Sequence, residues 1–181
     1  RFQFSGYYGG SAGDLNDIQS DTLKLTNGTF GTPVALAEAN VQYIKNGLSV
    51  KALFTTVQIK DAEDINRVYA NNTPEAMIAY YGEIGYNILK LFKKDEKNLT
   101  IFARYENLDM NNKLASNGIF NGTLNQQYIV GGLTYQPIMG VTVKADYVFK
   151  QTGDVNPVLV GLGQSYNKEQ GFFSLGVGYS F

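Results

Sequence analysis

Any chemistry in this chain rests on carboxylates and cationic side chains, because its 181 residues include no His and no Cys. A Ser-His-Asp triad, a thiolate nucleophile, an imidazole base and an ordinary zinc or iron site are all excluded. Disulfides are excluded too, so cysteines cannot reveal the redox compartment. What remains is four acidic residues, Glu38, Glu83, Glu106 and Asp146, and four basic ones, Lys51, Arg104, Lys144 and Lys150. All eight share one parity within alternating segments. Their common chemistry is electrostatic: a ring that selects permeating ions, or a paired, solvated network lining a wet interior. Four against four leaves no net field, and that favours the paired network. No metal or cofactor is expected.

Other clusters carry less. Asp14, Asn16, Asp17 and Asp21 offer oxygen ligands suited to Ca²⁺, but lack the Gly and closing Glu of an EF-hand loop. They read as a surface loop. Four Asn-X-Thr triplets, at Asn27, Asn71, Asn98 and Asn121, read as turn residues. Gly161-Leu162-Gly163 precedes no helix and is no phosphate loop. The net charge of −1 provides no basic field for nucleic acid.

The elements that must position the charges are strands. The dominant period is two, not 3.6. It is clearest at the end, where Phe173, Leu175, Val177, Tyr179 and Phe181 alternate with Ser174, Gly176, Gly178 and Ser180. The same alternation runs through 2–8, 35–43, 48–55, 78–88, 99–106, 129–135 and 141–150, making eight candidate strands. Between them lie long polar connections (11–31, 60–76, 110–126, 153–168) and short turns (Asn46-Gly47, Lys93 to Lys97, Pro137 to Gly140). Asn-Gly between two alternating runs is a strong hairpin signal, since both positions tolerate positive φ. Long and short connections alternate, which in an antiparallel meander puts every long loop at one end. A short helix is expected in the second long loop. Asp61 would cap it, Ile65, Val68 and Tyr69 would share its apolar face on the rim, and Pro74 would close it.

The expected fold is all-β, an antiparallel up-and-down transmembrane β-barrel forming one domain over 1–181. No apolar run approaches the ~18 residues of a membrane-spanning helix, but a barrel crosses with strands. Aromatics decide which face meets lipid. Phe2, Phe4, Tyr43, Tyr86, Tyr135, Tyr179 and Phe181 fall toward the short-turn end. Tyr8, Phe54, Tyr80, Tyr105, Tyr147, Phe149 and Phe173 fall toward the long-loop end. Two aromatic belts around an aliphatic band suit a bilayer, where tyrosine keeps its ring in the interface and its hydroxyl in water. The charged face is then the lumen, because Arg or Lys at mid-bilayer costs ~2–4 kcal/mol.

The segments ALAEANVQYIKNGLSVKALFT (35–55), YYGEIGYNIL (80–89), IFARYENLDMN (101–111), LTYQPIMGVTVKADYVFK (133–150) and FFSLGVGYSF (172–181) together resemble the phosphate-selective porin O/P-like family of outer-membrane porins, especially its Bacteroidota relatives. The resemblance implies a homotrimeric porin of about sixteen strands, a passive channel for small ions or solutes in the bacterial outer membrane. Its partners would be the lipid bilayer, lipopolysaccharide and the barrel-insertion machinery. With eight candidate strands and Arg1 in place of Met, the chain is expected to be the C-terminal half of such a barrel. The lumen face has no row of Arg or Lys, so phosphate specificity is not carried over. The alternative is a closed eight-stranded barrel with a structural, adhesive or anchoring role. An enzyme is not expected, since outer-membrane hydrolases and acyltransferases resemble one another in using His.

Phe173, Tyr179 and Phe181 are read as the insertion signal, a terminal aromatic within an alternating apolar strand. Phe181→Asp should lower the yield of membrane-inserted protein several-fold while leaving the melting temperature in detergent little changed. Membrane fractionation beside thermal unfolding measures both.

Overall fold

The computed structural model describes residues 1–11, 32–92, 97–158 and 166–180. Phe181, the Asp14–Asp21 cluster, the Asn27 triplet and Gly161-Leu162-Gly163 lie outside these residues. The eight strands are β1 (Phe2–Ser11), β2 (Thr32–Lys45), β3 (Leu48–Ile59), β4 (Pro74–Asn87), β5 (Asn98–Leu114), β6 (Asn125–Gln136), β7 (Val141–Thr152) and β8 (Glu169–Tyr179). They form one sheet in chain order, each antiparallel to the next. The sheet is not closed: β1 bonds only β2, and β8 bonds only β7. A barrel would need β1 to bond β8, and among the described residues that pairing is absent.

The register turns the sequence alternation into two faces. On one face Tyr43, Val50, Ile84, Ala103, Gly131, Tyr147 and Phe173 stand opposite one another strand by strand. On the other, Gln42, Lys51, Glu83 and Arg104 do the same. The apolar face is open to the surroundings, with Phe2 87 % and Phe4 78 % exposed. Among the described residues the buried hydrophobic set is small, Ala62, Phe102, Ala115 and Val148, with no large side chain fully buried. At edge strand β8 every position is exposed, so exposure does not distinguish its faces. Its register does, placing Leu175 opposite Ala145 and Ser174 opposite Asp146.

Asn46 and Gly47 form the β2–β3 turn with φ of 51° and 86°, the positive pair of a type I′ two-residue hairpin. The other expected boundaries shift. Ile88 leaves the strand for a 3₁₀ turn over Ile88–Phe92, and β5 continues to Leu114, past the end of its apolar alternation. There its pairing with β4 is irregular between Pro74 and Ile78.

Helix α1 spans Ala62–Tyr69 within the second long connection. Asp61 occupies the N-cap position, but with φ 58° its side chain makes no capping bond. Instead its carbonyl accepts the Ile65 amide at 3.1 Å. Ala70, also left-handed, ends the helix, and Pro74 opens β4 rather than closing the helix. The apolar stripe is only partly packed, with Ala62 buried and Tyr69 exposed. Among the described residues no helix is long and apolar enough to cross a membrane.

Three long connections are tied to one another. Asn72 and Ile119 exchange two bonds, Asn72 Nδ2 donating to the Ile119 carbonyl (2.7 Å) and the Ile119 amide to Asn72 Oδ1 (2.8 Å). Asn117 Nδ2 donates to the Glu63 carbonyl (2.9 Å), and Asn156 Nδ2 to the Phe120 carbonyl (2.8 Å). The Gly153 amide donates to the Gly122 carbonyl at 3.1 Å.

Neighbouring glycines in β6 test the two faces. A Cβ on Gly131 meets nothing within 4 Å, whereas one on Gly132 would stand 2.6 Å from the Ala145 carbonyl oxygen. Gly132→Ala should cost about 1–3 kcal/mol of stability, as overpacking does, and Gly131→Ala almost nothing. Denaturant unfolding in detergent measures both. Equal losses would contradict this facing.

Candidate functional site

The polar face is the hollow side of the sheet. Lys51 on β3, Glu83 on β4, Thr100 on β5, Gln136 on β6 and Lys144 on β7 all line one depression of about 650 Å³. Side chains of so many consecutive strands can border one hollow only on a concave surface. Position along the strand, rather than chain distance, therefore decides which charges meet.

Seven of the eight expected pore-lining residues lie in a band across β3 to β7. Lys51 Nζ donates to Glu83 Oε1 at 2.8 Å, directly across the β3–β4 register. Arg104 pairs with Glu106 at 2.9 Å and Lys144 with Asp146 at 3.1 Å, each two residues along its own strand. The spacing of two follows from strand geometry, which returns alternate side chains to one face. Every ion pair in the band thus lies along the sheet, on one strand or between adjacent strands.

Aromatic side chains on the same face complete these contacts. The Arg104 guanidinium lies 4.0 Å from the Tyr81 ring centroid, and the Lys144 ammonium 5.0 Å from that of Phe102. Lys150 stands 5.7 Å from Tyr128, completing the band. These rings supply cation–π attraction and were not among the residues expected from charge alone. Their signal was legible all the same, as aromatics of the wrong parity in otherwise polar rows.

Glu38 stands apart. On β2 its register partners are Ser5 and Thr55, and its Oε1 accepts from Asn40 Nδ2 at 3.1 Å. It shares the face but lies outside the ion-pair band. Of the expected insertion signal, Phe173 and Tyr179 stand exposed on β8. Among the described residues no three side chains cluster as metal ligands.

No protein family, curated protein or solved structure matches the chain.

A second set of polar groups was not anticipated. Asn87 Nδ2 donates to Asn98 Oδ1 (2.6 Å), Asn98 Nδ2 to Gln136 Oε1 (3.1 Å), and Gln136 Nε2 to Thr142 Oγ1 (3.2 Å). This relay crosses from β4 to β7 at the short-turn end of the depression. No alternation identifies it, because it depends on which residues the register sets side by side.

The Lys144–Asp146 pair is asymmetric, with the lysine side chain 49 % exposed and the aspartate 8 %. Lys144→Met strands a carboxylate with little access to water and should cost about 1–3 kcal/mol. Lys150→Met loses only a ring contact and should cost less than about 1 kcal/mol. Unfolding of both variants in detergent gives the comparison, and equal costs would contradict the asymmetry.

Proposed function

We propose that this chain forms the wall of a porin-type channel of the bacterial outer membrane, passing small ions or solutes without catalysis. The observation that carries the reading is its sidedness. Large apolar and aromatic side chains cover the exposed face, while paired charges and amides occupy the hollow one. A water-soluble sheet would bury the first face and expose the second. A sheet in lipid around a wet lumen does the reverse.

Aromatic placement supports the same reading. Tyr43, Tyr86, Tyr135 and Tyr179 each stand within two residues of the short-turn end of an even-numbered strand, on the apolar face. The resemblance of the 35–55, 133–150 and 172–181 segments to phosphate-selective porin O/P-like proteins points the same way. Two observations favour a wide barrel over a closed eight-stranded one. The free edges of β1 and β8 would leave backbone groups unpaired in hydrocarbon, at several kcal/mol each, and further strands would satisfy them. The band's ion pairs run along the wall, whereas a narrow closed lumen would bring charges together across it.

Paired charges imply weak ion selectivity. In a planar bilayer the protein should produce uniform conductance steps with similar potassium and chloride permeability. Arg104→Ala should shift the reversal potential toward cations, since Glu106 loses its counter-charge. Absence of conductance from folded, inserted protein would overturn the channel and favour an anchoring barrel.

A further inference from the structure

We infer that the depression at the short-turn end is a subsite for a neutral polyhydroxylated solute, a sugar rather than an inorganic anion. The inference rests on the channel reading and adds to it a class of solute.

Charge excludes the simpler ligand. Lys51, Lys90 and Lys144 border the depression, yet all three are already engaged. Lys51 is neutralised by Glu83 at 2.8 Å. Lys144 lies between Asp146 at 3.1 Å and the Phe102 ring. Lys90 has an interaction of its own. An anion would have to compete with a carboxylate for either of the two lysines paired here.

The remaining lining is amphoteric. Four amides border the hollow, Gln42, Asn87, Asn98 and Gln136, with the hydroxyls of Ser49, Thr100 and Thr134 between them. In the amide relay, Asn98 and Gln136 each give one hydrogen and accept one. Each retains one N–H hydrogen and one carbonyl lone pair, so both residues can still donate and accept. A hydroxyl is both donor and acceptor, and adjacent hydroxyls on a sugar ring match such a row. Inorganic phosphate near neutral pH has only one or two P–OH hydrogens among its four oxygens, so it is mainly an acceptor and matches amide carbonyls poorly. The volume of about 650 Å³ falls within the ~300–1,000 Å³ range of small-molecule sites.

The test is current block in a planar bilayer by maltotetraose, with inorganic phosphate at equal concentration as the counter-probe. Maltotetraose should interrupt the open-channel current reversibly, and phosphate should not. In Asn98→Leu/Gln136→Leu the half-blocking concentration should rise about tenfold, the equivalent of two net hydrogen bonds. Thr134→Val is a milder variant that should move it in the same direction if the double variant folds poorly. A current indifferent to the sugar, stronger block by phosphate, or equal block in all variants would overturn the subsite while leaving the channel standing. If no channel forms, titration calorimetry of the detergent-folded protein with maltotetraose decides the subsite alone. Heat of binding that is lost in the double variant upholds it, and no heat overturns it.

Discussion

The antiparallel ladder is the constraint on which everything else depends. Side chains alternate with a period of two, so a one-residue slip between any two strands would exchange their faces. A slip between β3 and β4 would turn Lys51 toward the apolar side and leave Glu83 without its partner. The seven pairings hold one register through the whole apolar band. The irregular pairing of β4 with β5 falls at Pro74–Ile78, toward the long loops. Irregularity is therefore confined to where sidedness matters least.

Much of the fold was legible because strand alternation and turn chemistry are local. The Asn46-Gly47 hairpin needs two residues that tolerate positive φ, and both are visible in the chain. The limits of β5 were less legible. Beyond Glu106 the apolar alternation stops, yet pairing with β4 and β6 continues on backbone bonds that carry no side-chain signature. The start of α1 was legible in position but not in its bonding. Asp61 looks like a side-chain cap, but its left-handed backbone turns the helix start another way.

The site divided along the same line. Arg104–Glu106 and Lys144–Asp146 are two residues apart and could be paired by spacing alone. Lys51–Glu83 required the register, and Glu38 was grouped with them by parity although it lies beyond their reach. Tyr81, Phe102 and Tyr128 were visible as exceptions to the alternation, but their role as cation platforms depends on neighbouring strands. The amide relay had no local signal, since its members come from four different strands. The number of strands that would complete a ring had no signal either: alternation specifies faces, and among the described residues the eight strands form an open sheet.

The bonds among the long connections couple changes in one to the fit of the others. Asn72 reads the backbone of Ile119, Asn117 that of Glu63, and Asn156 that of Phe120. Three side chains thus recognise main-chain atoms of other loops, which every residue but proline supplies alike. Substitutions at Glu63, Ile119 and Phe120 leave this recognition intact, whereas insertions or deletions that move those backbones break it. Surface variation at this end of the protein can therefore proceed freely by exchange of side chains, while changes of loop length must arise together.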